Sequence, residues 1–190
     1  MSNPFSEIRA IQSQIAAEWA AKTFATGATY RMFREKQKAD IEKFLKKKIG
    51  NGQRLASLST HAYDKELERL IWQFQLRFKC NDKMSHVRPH FGQAAKVVNL
   101  YIRQLLLFPQ YLLPYDKKKI EMNAHVILDG KILRQVNDNL KLELKEQGII
   151  KSPQLSTLYK KEYFAIQNVI RVAAKRAKIP PIAYDFLWAL

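Results

Sequence analysis

The sequence predicts an all-α domain, and three observations carry that prediction. Apolar residues recur at helical spacing through the long segments of the 190-residue chain. Glycine and proline are scarce, at 6 and 7 residues. Hydrophobic residues make up 47% of the chain and aromatic residues 11%, enough to build a core and too much for a disordered tail. The length suits one domain spanning residues 1–190. In it, N-terminal helices over 6–80 are expected to pack on a core of residues 85–146 and a C-terminal helix over 156–178.

Ser6 before Glu7, followed by Ile8, Ile11, Ile15 and Trp19, predicts a first helix ending near Gly27. A second is expected over 29–49, with Phe33, Ile41, Phe44, Leu45 and Ile49 on one side and a lysine-rich opposite face. Gly50-Asn51-Gly52 stops it. Its terminal lysines suit either a helix dipole or a phosphate. Thr60 is the expected N-cap of a third helix, whose stripe of Tyr63, Leu67, Leu70, Ile71, Phe74 and Phe78 leaves Trp72 to one side. Trp72 there suits interhelix packing or a groove.

Pro89 fits the first turn of the next helix. Residues 92–108 are apolar on nearly every side, so this helix should be the buried centre of the fold. Residues 108–123 are the least regular part. Asp129-Gly130 between apolar runs is the signal of a hairpin turn, which allows one short hairpin in an otherwise all-helical fold. A charged amphipathic helix is expected over 136–146, and Ser156 is the expected cap of the last long helix. Its seam is Tyr159, Tyr163, Ile166, Ile170, Ala173 and Ala177. The closing IAYDFLWAL is apolar enough to dock on the body.

The net charge of +16, with a pI near 9.9, implies a polyanionic partner attracted by long-range field and counterion release. Nucleic acid is the first expectation; an acidic protein or an anionic membrane surface could use the same field. A single cysteine, Cys80, excludes an internal disulfide and a cysteine-held iron–sulfur cluster. The N-terminus has no apolar run of the secretory kind, and the longest apolar stretch is too short and too polar to span a membrane. The expectation is a cytoplasmic protein, associated with the nucleoid if bacterial. Cys80, His86, His90 and His125 match no compact metal spacing, so neither a metal nor a cofactor is expected. Phosphate-binding loops and the common hydrolase signatures are absent from the sequence.

Two short stretches could carry chemistry. Phe91-Gly92-Gln93 opens the central helix, with Lys96 and Asn99 following. Ile127-Leu128-Asp129-Gly130-Lys131-Ile132-Leu133-Arg134 carries a lone carboxylate in an apolar run. Together they resemble the core of helix-hairpin-helix DNA glycosylases of the endonuclease III type, over roughly a quarter of the chain. In that family a glycine-containing hairpin opens a helix bearing a lysine, and a later segment supplies a catalytic aspartate near a helix N-terminus. Only Gly92 of the usual glycine pair is present here, and Lys96 falls two positions later than the family's lysine.

The resemblance implies excision of a damaged or modified base from duplex DNA. Asp129 would be the carboxylate that stabilises oxocarbenium character and orients water, with Lys96 beside it. His90, Gly92, Gln93, Arg88, Lys131 and Arg134 would form the DNA-facing edge, the helix amides holding a phosphate. Trp72, Tyr101 and Tyr115 would be the aromatic faces for a flipped base. Read from the residues alone, Asp129 is a turn residue, a helix cap or a catalytic carboxylate. Lys96 is a phosphate contact, a snorkelling core-edge residue or a nucleophile. Asn99 satisfies a buried backbone group or reads a base. Two other functions fit the composition: a non-catalytic basic helical protein that binds nucleic acid by charge, and a protein-interaction module for an acidic partner.

Overall fold

In the computed structural model, residues 4–24, 27–81, 88–107 and 114–187 are described. Among them every regular element is helical, and the only extended pairing is one isolated bridge between Phe33 and Cys80. Helix α1 (Pro4–Thr23) does not use the stripe its large residues suggest. Ile11 and Trp19 are at least half exposed, while Ala16, Ala17, Ala20 and Ala21 are buried. Small side chains let α1 lie close against helices α3 (Lys38–Ile49) and α6 (Phe91–Leu107).

The expected helix over 29–49 is broken. After a single turn, α2 (Gly27–Tyr30), the chain passes through a hydrogen-bonded turn at Arg31 and Met32 and the bridge residue Phe33 to a 3₁₀ turn at Glu35–Gln37 before α3 begins. The reason is tertiary, since no proline or glycine marks the break. Arg34 N–H donates to Lys79 O, Asn81 N–H donates to Met32 O, and the Gln37 side chain pairs with both backbone groups of Lys79. Buried Phe33 is thereby held against Phe74, and Cys80 is a small buried residue in the same joint. Gly50 and Gly52, both at positive φ, end α3 and lead into α4 (Gln53–Ala56).

Helix α5 (Thr60–Arg77) is capped by Ser59, whose hydroxyl accepts from Ala62 N–H. Thr60, the expected cap, instead donates its hydroxyl hydrogen to Asn123 Oδ1. The predicted stripe of α5 is buried, and Trp72 is exposed rather than packed between helices.

The central helix is α6, buried along nearly its whole length and packed by α5, α1 and α10 (Lys160–Ala177). Its first turn is closed. Gly92 N–H donates to Leu158 O, and the buried Gln93 side chain accepts from His90 N–H. A Cβ on Gly92 would stand 2.9 Å from both Leu155 O and Leu158 Cβ. Gly92 and Gln93 therefore form a packed joint with the 3₁₀ turn Leu155–Thr157, which corrects their expected DNA-facing role. Pro89 lies ahead of this helix, not in its first turn.

Helix α7 (Pro114–Asn123) occupies part of the stretch expected to be irregular; residues 108–113 lie outside the described residues. Residues 124–129 then run without regular secondary structure and almost wholly buried. No hairpin forms at Asp129-Gly130. Asp129 is the N-cap of α8 (Gly130–Asn139), and its Oδ1 accepts from the backbone N–H groups of Lys131 and Ile132 at 2.9 Å each. The charged helix expected over 136–146 is split at Leu140 into α8 and α9 (Lys141–Glu146).

Helix α10 starts where Glu162 accepts from Tyr159 N–H, three residues beyond the predicted cap Ser156. Its buried seam includes Tyr163, Ile166, Gln167 and Ile170, while Tyr159 is exposed. After Pro181–Ala183, helix α11 (Tyr184–Leu187) docks on the body through buried Ile182 and Asp185, in keeping with the apolar ending of the sequence. One continuous hydrophobic core joins the N- and C-terminal parts. No helix among the described residues is long and apolar enough to cross a membrane.

The joint at Gly92 gives a stability test. Gly92→Ala should cost about 1–3 kcal/mol in urea unfolding, the usual penalty for overpacking. Gly130→Ala, where an added Cβ meets nothing within 4 Å, should be neutral or stabilise by about 0.5 kcal/mol. Equal effects at the two positions would contradict the packing described.

Candidate functional site

The site is built on the irregular, buried run 124–129. A buried backbone outside helix or sheet needs partners for every N–H and C=O. Gln167 of α10 supplies two: its Oε1 accepts from Val126 N–H at 3.1 Å and its Nε2 donates to Val126 O at 2.7 Å. Asp185 of α11 supplies a third, Oδ1 accepting from Ile127 N–H at 2.8 Å. Two residues later Asp129 caps α8. The run is thus fixed from both sides before it delivers Asp129 to the surface.

Beside it lies a cleft of about 310 Å³. Helix α6 contributes Lys96, Leu100, Arg103 and Gln104, the i, i+4, i+7, i+8 pattern of one helix face. Asp129 and Lys131 enter from the start of α8, Asp185 from α11, and Phe24 and Thr29 from the N-terminal part. Two residues singled out in the sequence for one chemistry, Asp129 and Lys96, meet here. Lys96 is half-buried and Lys131 exposed, so the cations stand toward the rim.

The inner wall holds two unmade hydrogen bonds. Asp185 is 3% exposed and its Oδ2 has no partner; Arg103 Nε is also buried without a partner. Burial pushes the Asp185 carboxyl up to about 7. The Ile127 N–H and Arg103 pull it down, and the charge of Asp129 pushes it further up. The cleft therefore combines a capped carboxylate, a buried carboxyl near neutrality and three cations.

The other residues expected at the site are scattered. Tyr101 is a core residue, completely buried, with its hydroxyl donating to Gly50 O at 2.9 Å. It has no face for a base, and that expectation is corrected. Trp72 is exposed on α5, and Arg88 and Arg134 are exposed, but none of them lines the cleft. The His90 ring packs edge-on to Tyr159. Tyr115 belongs to a separate, shallower hollow of about 530 Å³ with Lys118, Lys119 and Met122, and Lys119 Nζ sits 5.4 Å from its ring centroid.

A second polar cluster lies deeper. Asn99 Nδ2 donates to Ala95 O and to the Tyr163 hydroxyl, which lies 2.9 Å from His125 Nδ1. His125 Nε2 lies 2.8 Å from Asp64 Oδ1 and 2.9 Å from Arg171 Nη2, and Arg171 grips both oxygens of Asp64 at 2.6 Å. Burial pushes the His125 pKa down to about 4, against the pull of Asp64. Burial would raise Asp64, but the hydrogen bonds from Arg171 and His125 hold it at about 2. With His125 and Tyr163 only 1% exposed, the cluster ties α5, α6 and α10 together and offers no entry to a substrate. Asn99 satisfies Ala95 O, one of its two expected roles. Cys80, His90 and His125 stand apart, His86 lies outside the described residues, and no metal-holding group of side chains occurs among the described residues.

With this geometry in hand, no family model, curated protein or solved structure matches the chain. The cleft must be read from its own chemistry. Sequence reasoning passed over Arg103, Gln104, Asp185 and Gln167. The signal that marked Asp129, one polar or charged residue in an apolar run, also marks Arg103 in α6 and Asp185 in IAYDFLWAL.

Two measurements test the site's structure. Asp129→Ala should destabilise the fold by about 1 kcal/mol through loss of the cap, whereas Asp129→Asn, itself a good cap, should cost less than half of that; chemical denaturation separates them. For Asp185, a folded pKa above the unfolded value means that the folded state holds the extra proton between about pH 4 and pH 7. Stability is then present at low pH and lost as pH rises through 7. Relative to Asp185→Asn, wild type should lose up to roughly 4 kcal/mol across that window. A difference independent of pH would place Asp185 in water instead.

Proposed function

We propose that the protein is a DNA glycosylase-like enzyme that binds DNA and excises a damaged or modified base in the cleft of Asp129 and Lys96. The observation that carries this reading is the convergence, in one hollow of a +16 chain, of a carboxylate fixed by its helix cap and the cations Lys96, Arg103 and Lys131. The cap uses Oδ1 alone. Oδ2 is the atom assigned to catalysis.

In the reaction, water adds to the anomeric carbon of the sugar as the bond to the base nitrogen breaks. Asp129 stabilises the positive charge that develops on the sugar and takes a proton from the water. The departing base carries the bonding electron pair and accepts a proton, leaving an abasic site. Lys96 and Lys131 at the rim hold the flanking phosphates. The exposed lysines of α3 and of the end of α10 supply the non-specific attraction. The location that goes with this reading is the cytoplasm, on the nucleoid if the cell is bacterial.

The exposed lysines also favour a second reading, a basic protein that binds nucleic acid by charge alone. Both readings predict steep salt dependence, but only the first predicts a product. Wild type incubated with long duplex DNA carrying damaged or naturally modified bases should generate abasic sites. Asp129→Asn should lose at least 100-fold in rate while unfolding at the same temperature and binding DNA as well as wild type. Tight binding with no base release from any of these DNAs leaves the charge-only reading. Undiminished release by Asp129→Asn would mean that chemistry occurs elsewhere.

A further inference from the structure

We propose that Arg103 and Asp185 form the recognition edge of the cleft, reading a planar nitrogen heterocycle that presents an N–H donor beside a carbonyl or ring-nitrogen acceptor. The inference rests on the reading of this cleft as a base pocket and names what distinguishes its ligand.

Asp185 Oδ2 is an acceptor and Arg103 Nε–H a donor, and both are buried without partners in the wall of one cleft. Buried polar groups in folded proteins are nearly always satisfied, so each exception calls for an explanation. Tyr63, Gln73, Asn99 and Arg171 also hold such atoms, but only Arg103 and Asp185 line this cleft. Asp185 is anchored through its other oxygen to Ile127 N–H, on the same run that carries Asp129, and Arg103 projects from the central helix. An anchored acceptor allows discrimination, because a ligand edge with the wrong polarity leaves it desolvated and unpaired.

The surroundings select among ligands. Phosphate is disfavoured beside Asp129 and Asp185, two carboxyl side chains in the cleft's lining. The rim lysines Lys96 and Lys131 suit it instead. A flat ring fits the inner end, since Phe24, Leu100, Ile127 and Ile132 supply apolar lining. The near-neutral carboxyl is consistent with this: an N–H donated to Oδ2 would satisfy the charged form that burial now disfavours.

The test uses free bases, so that binding is separated from excision. Uracil, cytosine and adenine are titrated into full-length wild type at pH 7.5, with 3-methyluracil, which lacks the donor on that edge, as the control. The Arg103 Nε–H resonance reports occupancy. At least one of the three should bind and shift that resonance, and 3-methyluracil should bind at least 10-fold more weakly than uracil if uracil is bound. Asp185→Asn, which keeps an acceptor for Ile127 N–H but replaces Oδ2 by a donor, should weaken binding at least 10-fold, as should Arg103→Met. Free-base binding that responds to both variants, with no base released from DNA, would uphold the recognition edge and defeat the excision reading. Asp129-dependent release that is unchanged in Asp185→Asn and Arg103→Met would do the reverse. No binding by any base and no release would overturn both.

Discussion

The structure depends on satisfying a buried segment that is neither helix nor sheet. Residues 124–129 carry no regular secondary structure and are nearly all buried, in a domain whose described elements are helices. In a sheet, a neighbouring backbone would take up their N–H and C=O groups. Here side chains do so: Gln167 imitates a ladder partner by exchanging two hydrogen bonds with Val126, and Asp185 accepts from Ile127. The Arg171 guanidinium donates to Asn123 O just before the run. Removing one such partner leaves a buried group unsatisfied at about 1–3 kcal/mol, so helices α10 and α11 are obligate supports of the segment. The C-terminal part of the chain thereby determines where Asp129 stands.

The deep cluster serves the same end from the other side. Asn99, Tyr163, His125, Asp64 and Arg171 come from four elements and close a chain of hydrogen bonds around the run. An aspartate, a histidine and a hydroxyl in sequence invite comparison with an activated nucleophile. Burial decides against that role, because the histidine and tyrosine lie beyond the reach of solvent and the histidine is neutral. The cluster instead fixes how α5, α6 and α10 cross. Helix α6 is the shared member: Asn99 joins the cluster, and Lys96, Leu100, Arg103 and Gln104 line the cleft.

The helical class, the buried central helix and the docking of the chain's end were legible in the apolar spacing, because a period near 3.6 residues survives any arrangement of the helices. Breaks imposed from outside were not. Nothing in residues 29–37 announces that the backbone after α5 will pin them open. The packed joint of Gly92 was equally invisible, since a glycine admitting a neighbouring chain and a glycine admitting a phosphate look alike in sequence. The Asp-Gly pair suits both a hairpin turn and a helix cap, and only the absence of a partner strand among the described residues separates them. For the site, the lone carboxylate in an apolar run was the productive signal. Counting charge of either sign, the same signal marks Lys96, Arg103 and Asp185 as well.

Charge acts at two ranges in this molecule, with opposite preferences. At longer range, out to about a Debye length, the +16 excess attracts any polyanion and does not distinguish among them. Within the cleft, the balance is local: Asp129 and Asp185 occupy the same hollow as Lys96, Arg103 and Lys131. A fully cationic hollow would bind phosphate most strongly and hold the backbone of a nucleic acid in the place where a base should go. Placing two carboxyls there removes that competitor and leaves the rim to the cations. On the proposed reading, the field outside collects the strand, and the carboxyls inside ensure that what enters the cleft is the part of it that carries no charge.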